Sequence, residues 1–375
     1  MGGAIKKRGK SWQVTVEIGR DAYGRRIRKY FTARTKEEAE IILTENKHKI
    51  MVGDFVEPSR MNFAEFLKHW MENYVETNCE ATTISGYEKV IKKHVIPYLG
   101  AIPLQKLSPM HIQQYYKHLL DKKKLSPNTV RRQHSTIRKS LDYAFKMQLI
   151  NKNPADRVSL PKRIEFEASY YTESQAAVLL DVLKGDEIEV PINLAVFLGL
   201  RRGEICGLRW EHVDLENQIL EVKETRTRTS NQIIVKAPKT KKSKRILYLP
   251  DELVSLLKAH RKKQKENKLL LGKDYVETDY VCTVINGGPI HPDCLSHRFK
   301  DALEKNGLPP IRFHDIRHTV ASLLLQNKMP IKNVSEMLGH SNANITLNTY
   351  GHVLEEARKE TSMKMAEILK RKQVN

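Results

Sequence analysis

Acidic residues are scarce beside basic ones. The chain has 44 Asp and Glu against 65 Lys and Arg, a formal net charge of +21 over 375 residues. The excess is spread along the whole chain. Such a balance favours a polyanionic partner, nucleic acid before others, over a merely soluble basic enzyme. Cysteine is also sparse: Cys79, Cys206, Cys282 and Cys294, with no C-x-x-C pair among them. That spacing indicates neither a zinc ribbon nor a thiol redox motif. Buried thiols in a reducing compartment are expected instead. No apolar run reaches the length of a membrane span, and the opening MGGAIKKRGK lacks the hydrophobic region of an export signal. A cytoplasmic, unanchored protein is expected, with no membrane partner. Internal repeats and low-complexity tracts are lacking too. What is present suffices for packed cores: hydrophobic residues make up 40% and aromatics 7%. The length allows two or three domains.

Periodicity gives the organisation. Trp12, Val14, Val16 and Ile18 alternate with polar residues, as in a half-buried strand. Arg20 to Gly24 reads as a turn and Arg25 to Ala33 as a second strand. Thr35 and Glu38 have capping-box spacing for the helix that follows. Arg25, Arg26 and Arg28 are candidate phosphate contacts, or else a solvated basic face. Val52 to Arg60 reads as a linker. Phe63, Phe66, Leu67 and Trp70 fall at helical spacing, and a second helix runs through TTISGYEKVIKKHV, expected to stop before Pro97 and Gly100. Ser126 as N-cap with Pro127 at the first position starts another helix. Val130, Ile137, Leu141 and Ala144 line one of its faces, and Arg131, Arg132, Arg138 and Lys139 lie mostly elsewhere as candidate DNA contacts. Two prolines and weak periodicity in Asn151 to Ser169 place a boundary there. Beyond it, Thr172 and Gln175 cap a helix, and the remainder reads as helices plus one short sheet built from ILEVKETRT, IIVKAP and RILYLP. The expected domains are 1–55, 60–155 and 168–375.

Four clusters could carry chemistry. In LGLRRGEICGLRW, Arg201 and Glu204 are three apart and share a helix face. APKTKKSKR is a lysine-dense stretch between two strand candidates. RFHDIRHTVASLLL places His314 and Arg317 three apart on an amphipathic helix. LGHSNANITLNTYGHV sets His340 ten positions before Tyr350. Each cluster alone has a bland reading: a surface ion pair, a solvated hairpin, a core tyrosine. Their order is what carries information.

GLRRGE, PKTKKSKR, HDIRH, LGH and the downstream tyrosine resemble, in order and spacing, the motifs of the tyrosine recombinases of the phage integrase family. The resemblance is strong over Tyr170 to Val353. It implies a multidomain, mainly α protein with small β-sheets: an N-terminal three-stranded sheet plus helix that binds arm sites, a helical core-DNA-binding domain, and a mixed α+β catalytic domain with a C-terminal tail helix. One departure is visible, Leu198 where many relatives have Thr. The resemblance also implies roles. Tyr350 would attack a phosphodiester to form a 3′-phosphotyrosine and release a 5′-hydroxyl. Arg201, with Glu204 supporting it, and Arg317 would clamp the non-bridging oxygens. Lys239, crowded by Lys241, Lys242 and Lys244, would protonate the leaving oxygen. His314 would act as base or hydrogen-bond the phosphate, and His340 would support the phosphate. Double-stranded DNA, a homotetramer on it, a host DNA-bending protein and an excision factor are the implied partners. The tail, with Met365, Ile368 and Leu369 as its apolar patch, would dock on a neighbouring subunit or on its own domain.

The physical logic runs in parallel. Guanidiniums offer permanent charge and planar bidentate contact to phosphate. They offset charge that grows in the transition state. A phenol with a pKa of ~10 is a weak nucleophile at neutral pH until nearby cations and a base assist it. A covalent link conserves the phosphodiester's energy, so no ATP or other cofactor is expected, and with Arg, His and Lys present to neutralise charge no metal is expected. Three rivals are weighed. HDIRH approaches the zinc signature H-E-x-x-H, but its acid is Asp and Arg317 would crowd the ion. A non-catalytic DNA-binding regulator does not explain the ordered clusters. A type IB topoisomerase shares the chemistry.

Overall fold

The computed structural model describes residues 2–53, 55–164, 169–229, 232–237, 244–340, 363–367 and 369. It separates into two compact units, residues 1–165 and 166–375. Among the described residues no helix is long and apolar enough to cross a membrane.

The first unit opens with an antiparallel sheet of β1 (Gly3–Arg8), β2 (Ser11–Arg20) and β3 (Arg26–Ala33), in that order. Ile5, Val14 and Phe31 stand side by side across the three strands. Their face is covered by α1 (Lys36–Met51), and Val14, Val16, Ala33 and Ala39 form the buried centre. β1 is an addition to the two strands that alternation marks. Its GAIKKR sequence has almost no apolar period, and the sheet recruits it through backbone pairing. The Asp21 carboxylate accepts from Tyr23 N and Arg25 N, each at 2.9 Å, and so closes the expected turn. Thr35 caps α1 by accepting from Glu38 N at 3.1 Å, but Glu38 reaches back to Arg34 N, one residue beyond the reciprocal box.

The rest of the first unit is helical. Asn62 and Glu65 make a full capping box for α2 (Phe63–Trp70), which runs on through a wide π turn, Met71–Val75. α3 (Ala81–Val90) likewise passes through the π turn Ile91–Val95 into Ile96–Leu99. The expected stop before Pro97 is therefore wrong. The helix widens just before the proline, with Ile96 N bonded to Ile91 O, and the wide turn accommodates the residue that lacks a donor. α4 (Pro109–Asp121) and α5 (Pro127–Lys146) start on Ser108 and Ser126 caps with proline at the first position. Val130, Ile137, Leu141 and Ala144 of α5 join Phe63, Phe66, Trp70, Val95 and Tyr115 in one core.

In the second unit Thr172 and Gln175 form the expected box at the start of α6 (Glu173–Val182). α7 (Glu189–Leu198) and the short α8 (Arg202–Cys206) follow. Two small sheets come next, not one. β4 (Val213–Asp214), β5 (Ile219–Val222) and β8 (Arg245–Tyr248) form the first, and β6 (Thr225–Arg228) pairs with β7 (Ile233–Lys236) in the second. ILEVKETRT is thus split between sheets. Arg209 Nε holds the Glu224 carboxylate at 2.9 Å at the break. β6 then turns onto α8, where a Cβ on Gly207 would lie 3.0 Å from Arg226 N. α9 (Asp251–Leu271), α10 (Pro292–Lys305), α11 (Phe313–Gln326) and α12 (Ile331–Leu338) complete the unit. Its core joins α6, α7, α9, α10 and α11 around Leu194, Leu253, Leu295, Phe299 and Ile316. Thr319 on α11 accepts from Tyr171 N at 3.0 Å and so ties down the entering chain.

Candidate active site

The end of α12 organises the site. Gly339 takes a left-handed conformation, φ +64°. Its N–H bonds to Glu336 O at 2.9 Å and His340 N to Ser335 O at 3.0 Å, the Schellman arrangement. This satisfies carbonyls 335 and 336, and the next three carbonyls are those of Met337, Leu338 and Gly339. Each of these accepts from a different arginine. Arg245 Nε reaches Met337 O at 2.7 Å, Arg317 Nη2 reaches Leu338 O, and Arg201 Nη2 reaches Gly339 O at 3.0 Å. A helix C-terminus carries partial negative charge, so cations there are favoured.

A second left-handed glycine serves the same group. Gly199 ends α7 with φ +60°, and its carbonyl accepts from Arg317 Nη1 at 2.6 Å. A Cβ on it would sit 2.4 Å from Leu338 Cδ2, so glycine is what lets α7 and α12 meet this closely. Arg201 follows two residues later as the N-cap of α8. Glu204 at the third position accepts from Arg201 N at 2.9 Å and from Arg201 Nη1 at 2.8 Å. The same carboxylate accepts from Arg245 Nη1 at 3.1 Å and Nη2 at 2.9 Å. Burial works against its charge, but the Arg245 bonds and charge, then those of Arg201, outweigh it and hold the carboxyl below its ordinary range.

α11 contributes Arg317 from its buried side and His314 from its first turn. Asp315 is taken up at the helix start, accepting from Arg312 N at 2.8 Å and Arg312 Nη2 at 2.7 Å. His314 and His318 stand edge to face with ring centres 5.2 Å apart. His314 lies at the mouth of the site, and desolvation by its surroundings is the largest influence lowering its pKa. His318, Arg317 and Arg201 push the same way, and its pKa falls to about 4. His340 is half-buried. Desolvation first, then Arg317 and Arg201, bring its pKa to about 4 as well. Both imidazoles are therefore neutral at pH 7 and can accept a hydrogen bond or a proton. Arg201 and His314 open into a cleft of about 750 Å³, also lined by Arg202, Lys300 and Arg312.

The structure thus brings Arg201, Glu204, His314, Arg317 and His340 together. Lys239 and Tyr350 lie outside the described residues, as do Lys241, Lys242 and Ile368. Lys244 is exposed beside Arg245. The tail is helical at Met363–Glu367, with Met365 and Leu369 exposed.

In the first unit the candidate contacts split into two kinds. Arg26 and Arg28 are exposed on β3, and Arg26 sits 3.5 Å from Glu17. Arg25 lies over the Tyr23 ring at 5.9 Å. On α5, Arg132 is exposed. Arg131 donates to Pro161 O at 2.9 Å and Arg138 to Asp156 at 2.7 Å. Lys139 lies over the rings of Tyr74 and Tyr87. These last three fasten α5 to its own surroundings.

Sequence reasoning missed Arg245 and the two glycines. The Leu-Gly pairs at 198–199 and 338–339 do carry a helix-stop signal. Arg245 carries none, because it closes a run of lysines.

Comparison with known proteins gives a consistent picture. Residues 170–357 match the Phage integrase family, and residues 62–120 match the Phage integrase, N-terminal SAM-like domain. A tyrosine recombinase XerC-like protein of Caldanaerobacter subterraneus subsp. tengcongensis is 32% identical over 94% of this chain and 95% of its own length. The Tn1549 transposon integrase, solved with transposon right end DNA, has a TM-score of 0.71 at 20% identity, covering 82% of this chain and 100% of that one. A lambda integrase tetramer bound to a Holliday junction gives 0.58 at 18% identity, covering 92% and 95%. The two structures share the fold. Family match and full-length relative together leave one conclusion: the chain belongs to the phage integrase family and is a site-specific recombinase of the tyrosine class.

Proposed function

We propose that this recombinase integrates and excises a mobile element or prophage by cutting and rejoining duplex DNA through Tyr350. The phenolic oxygen attacks phosphorus, the bond to the 5′-oxygen breaks, and a 3′-phosphotyrosine forms. The phenol's proton leaves to a neutral histidine or water, and Lys239 supplies the proton taken up by the departing 5′-hydroxyl. Reversal with the 5′-hydroxyl of another strand restores the phosphodiester, so bond count and charge balance with no outside energy source. Arg201 and Arg317 bind the non-bridging oxygens. His314 and His340, neutral at rest, accept or share protons there.

One observation carries this reading: three arginines from distant parts of the chain converge on the helix end beside His340. Guanidiniums held by carbonyls keep their positive charge for a phosphate. Four copies would act on two duplexes through a four-way junction, as the lambda integrase tetramer on its Holliday junction suggests by analogy. Residues 1–55 would bind arm sites, 60–155 the core site, and 168–375 would carry the chemistry, with the tail docking in cis or trans. A host DNA-bending protein and an excision factor are proposed partners, and the cytoplasm is the proposed compartment. The test is denaturing electrophoresis after incubation with a nicked target duplex. The wild-type chain should shift as a protein–DNA adduct, and Tyr350→Phe should bind the duplex without forming one. An adduct with Tyr350→Phe would remove that residue from its role. Strand exchange between two duplexes, beyond supercoil relaxation, separates recombinase from topoisomerase.

A further inference from the structure

The Glu204 carboxylate is more crowded than a one-to-one ion pair. It takes two hydrogen bonds from Arg201 and two from Arg245, which fills the acceptor positions of both oxygens. Exposure differs sharply among the three side chains: 2% for Glu204, 7% for Arg245 and 35% for Arg201. Two cations and one anion leave a net charge of +1, and only Arg201 of the pair of arginines faces the cleft.

We propose that Arg245 is a positioning residue that balances the charge of Glu204, so that Arg201 is held in place by a carboxylate without being neutralised by it. A carboxylate orients a guanidinium well but cancels its charge. A second, buried guanidinium on the same carboxylate restores that charge where a phosphate would meet it. Arg245 is built for the task. Its fork takes both Glu204 oxygens, its Nε is fixed on Met337 O at 2.7 Å, and Gly339 lies flat against it, where a Cβ would come within 3.0 Å of Nη1. It also begins β8 directly after the lysine stretch, so its anchorage fixes where that stretch ends.

The proposal rests on Arg201 being a phosphate clamp, and the experiment keeps the two apart. The probe is a duplex selected from a random-sequence pool by the Tyr350→Phe protein and then nicked, so that cleavage traps the adduct. Single-turnover adduct formation and duplex affinity are measured for the full chain, for Glu204→Gln, for Arg245→Met and for the double variant. Arg245→Met should slow cleavage about 100-fold while duplex affinity changes little, because it leaves Glu204's charge on Arg201 alone. Removing that charge as well should rescue it, with the double variant about tenfold faster than Arg245→Met. A purely structural arginine would give no rescue, and a double variant as slow as Arg245→Met overturns the proposal. Should Arg245→Met fail to fold, Glu204→Gln and the double variant decide. They should cleave within about threefold of each other; a larger gap, or a double variant that also fails to fold, overturns it. Absence of any adduct from the wild-type chain, or its persistence in Tyr350→Phe, overturns instead the reading of the site on which the proposal stands.

Discussion

Arg138 of the first unit and Arg317 of the second are held in opposite ways. On α5 of the first unit, Arg138 lies on the surface and meets Asp156, one charge for one charge. In the second unit, Arg317 is buried to 4% exposure and gives two of its hydrogen bonds to main-chain carbonyls, Gly199 O and Leu338 O. A carboxylate partner cancels a cation, and water and salt weaken what remains. A carbonyl partner satisfies the same donors and leaves the charge standing. The first arrangement suits a surface tie between a helix and its own surroundings. The second suits a fixed charge that must be ready before a phosphate arrives.

That contrast can be broken at several points. The largest effect is expected at Arg317→Lys, which keeps the charge but loses the planar fork. Single-turnover cleavage should fall by about 100- to 1,000-fold while duplex affinity stays close to wild type. An equal loss in affinity would mean that Arg317 only helps binding. Next come the glycines. Gly199→Ala combines a left-handed φ with a methyl 2.4 Å from Leu338 Cδ2, and should cost about 2–4 kcal/mol in denaturant unfolding. Gly24→Ala in the first unit has a φ of +79° but open space around it, and should cost only about 1–2 kcal/mol. Similar values for the two would show that the contact between α7 and α12 is loose.

A third effect depends on pH. His340 titrates at about 4 in the folded chain, below its ordinary value of 6.5. The unfolded chain then binds more protons than the folded one between those values. Stability from this group is complete above about pH 6.5 and is lost as pH falls toward 4. His340→Gln should flatten the acid limb of the melting temperature without changing it at pH 8. The smallest effect is expected at Arg138→Ala. It loses an exposed ion pair with Asp156, so denaturant unfolding should show a loss smaller than that of Gly24→Ala, one that shrinks as salt rises, with duplex affinity unmoved. A larger loss that ignores salt would show the pair to be shielded from water.

How much of this was legible depends on where the determining partner lies in the chain. Caps are local, so Ser126 with Pro127 and Thr172 with Gln175 could be read directly, and both open helices. The Arg201–Glu204 and His314–Arg317 spacings were legible for the same reason. Pro97 misled because the wide turn that accommodates it leaves no compositional trace. The split between Val222 and Thr225 was hidden because its cause, Arg209 holding Glu224, lies 15 positions upstream. Arg245 was least legible of all. Its partners are Glu204, 41 positions before it, and Met337, 92 positions after it, and the acceptor in Met337 is a carbonyl that every residue possesses.

α12 is only eight residues long, Ile331–Leu338, and such a segment alone would fray in water. Yet unwinding its last turn would take one acceptor from each of three guanidinium groups at once. The amides that close that turn, those of Gly339 and His340, should consequently exchange with deuterium as slowly as amides in the middle of α11, and should do so together.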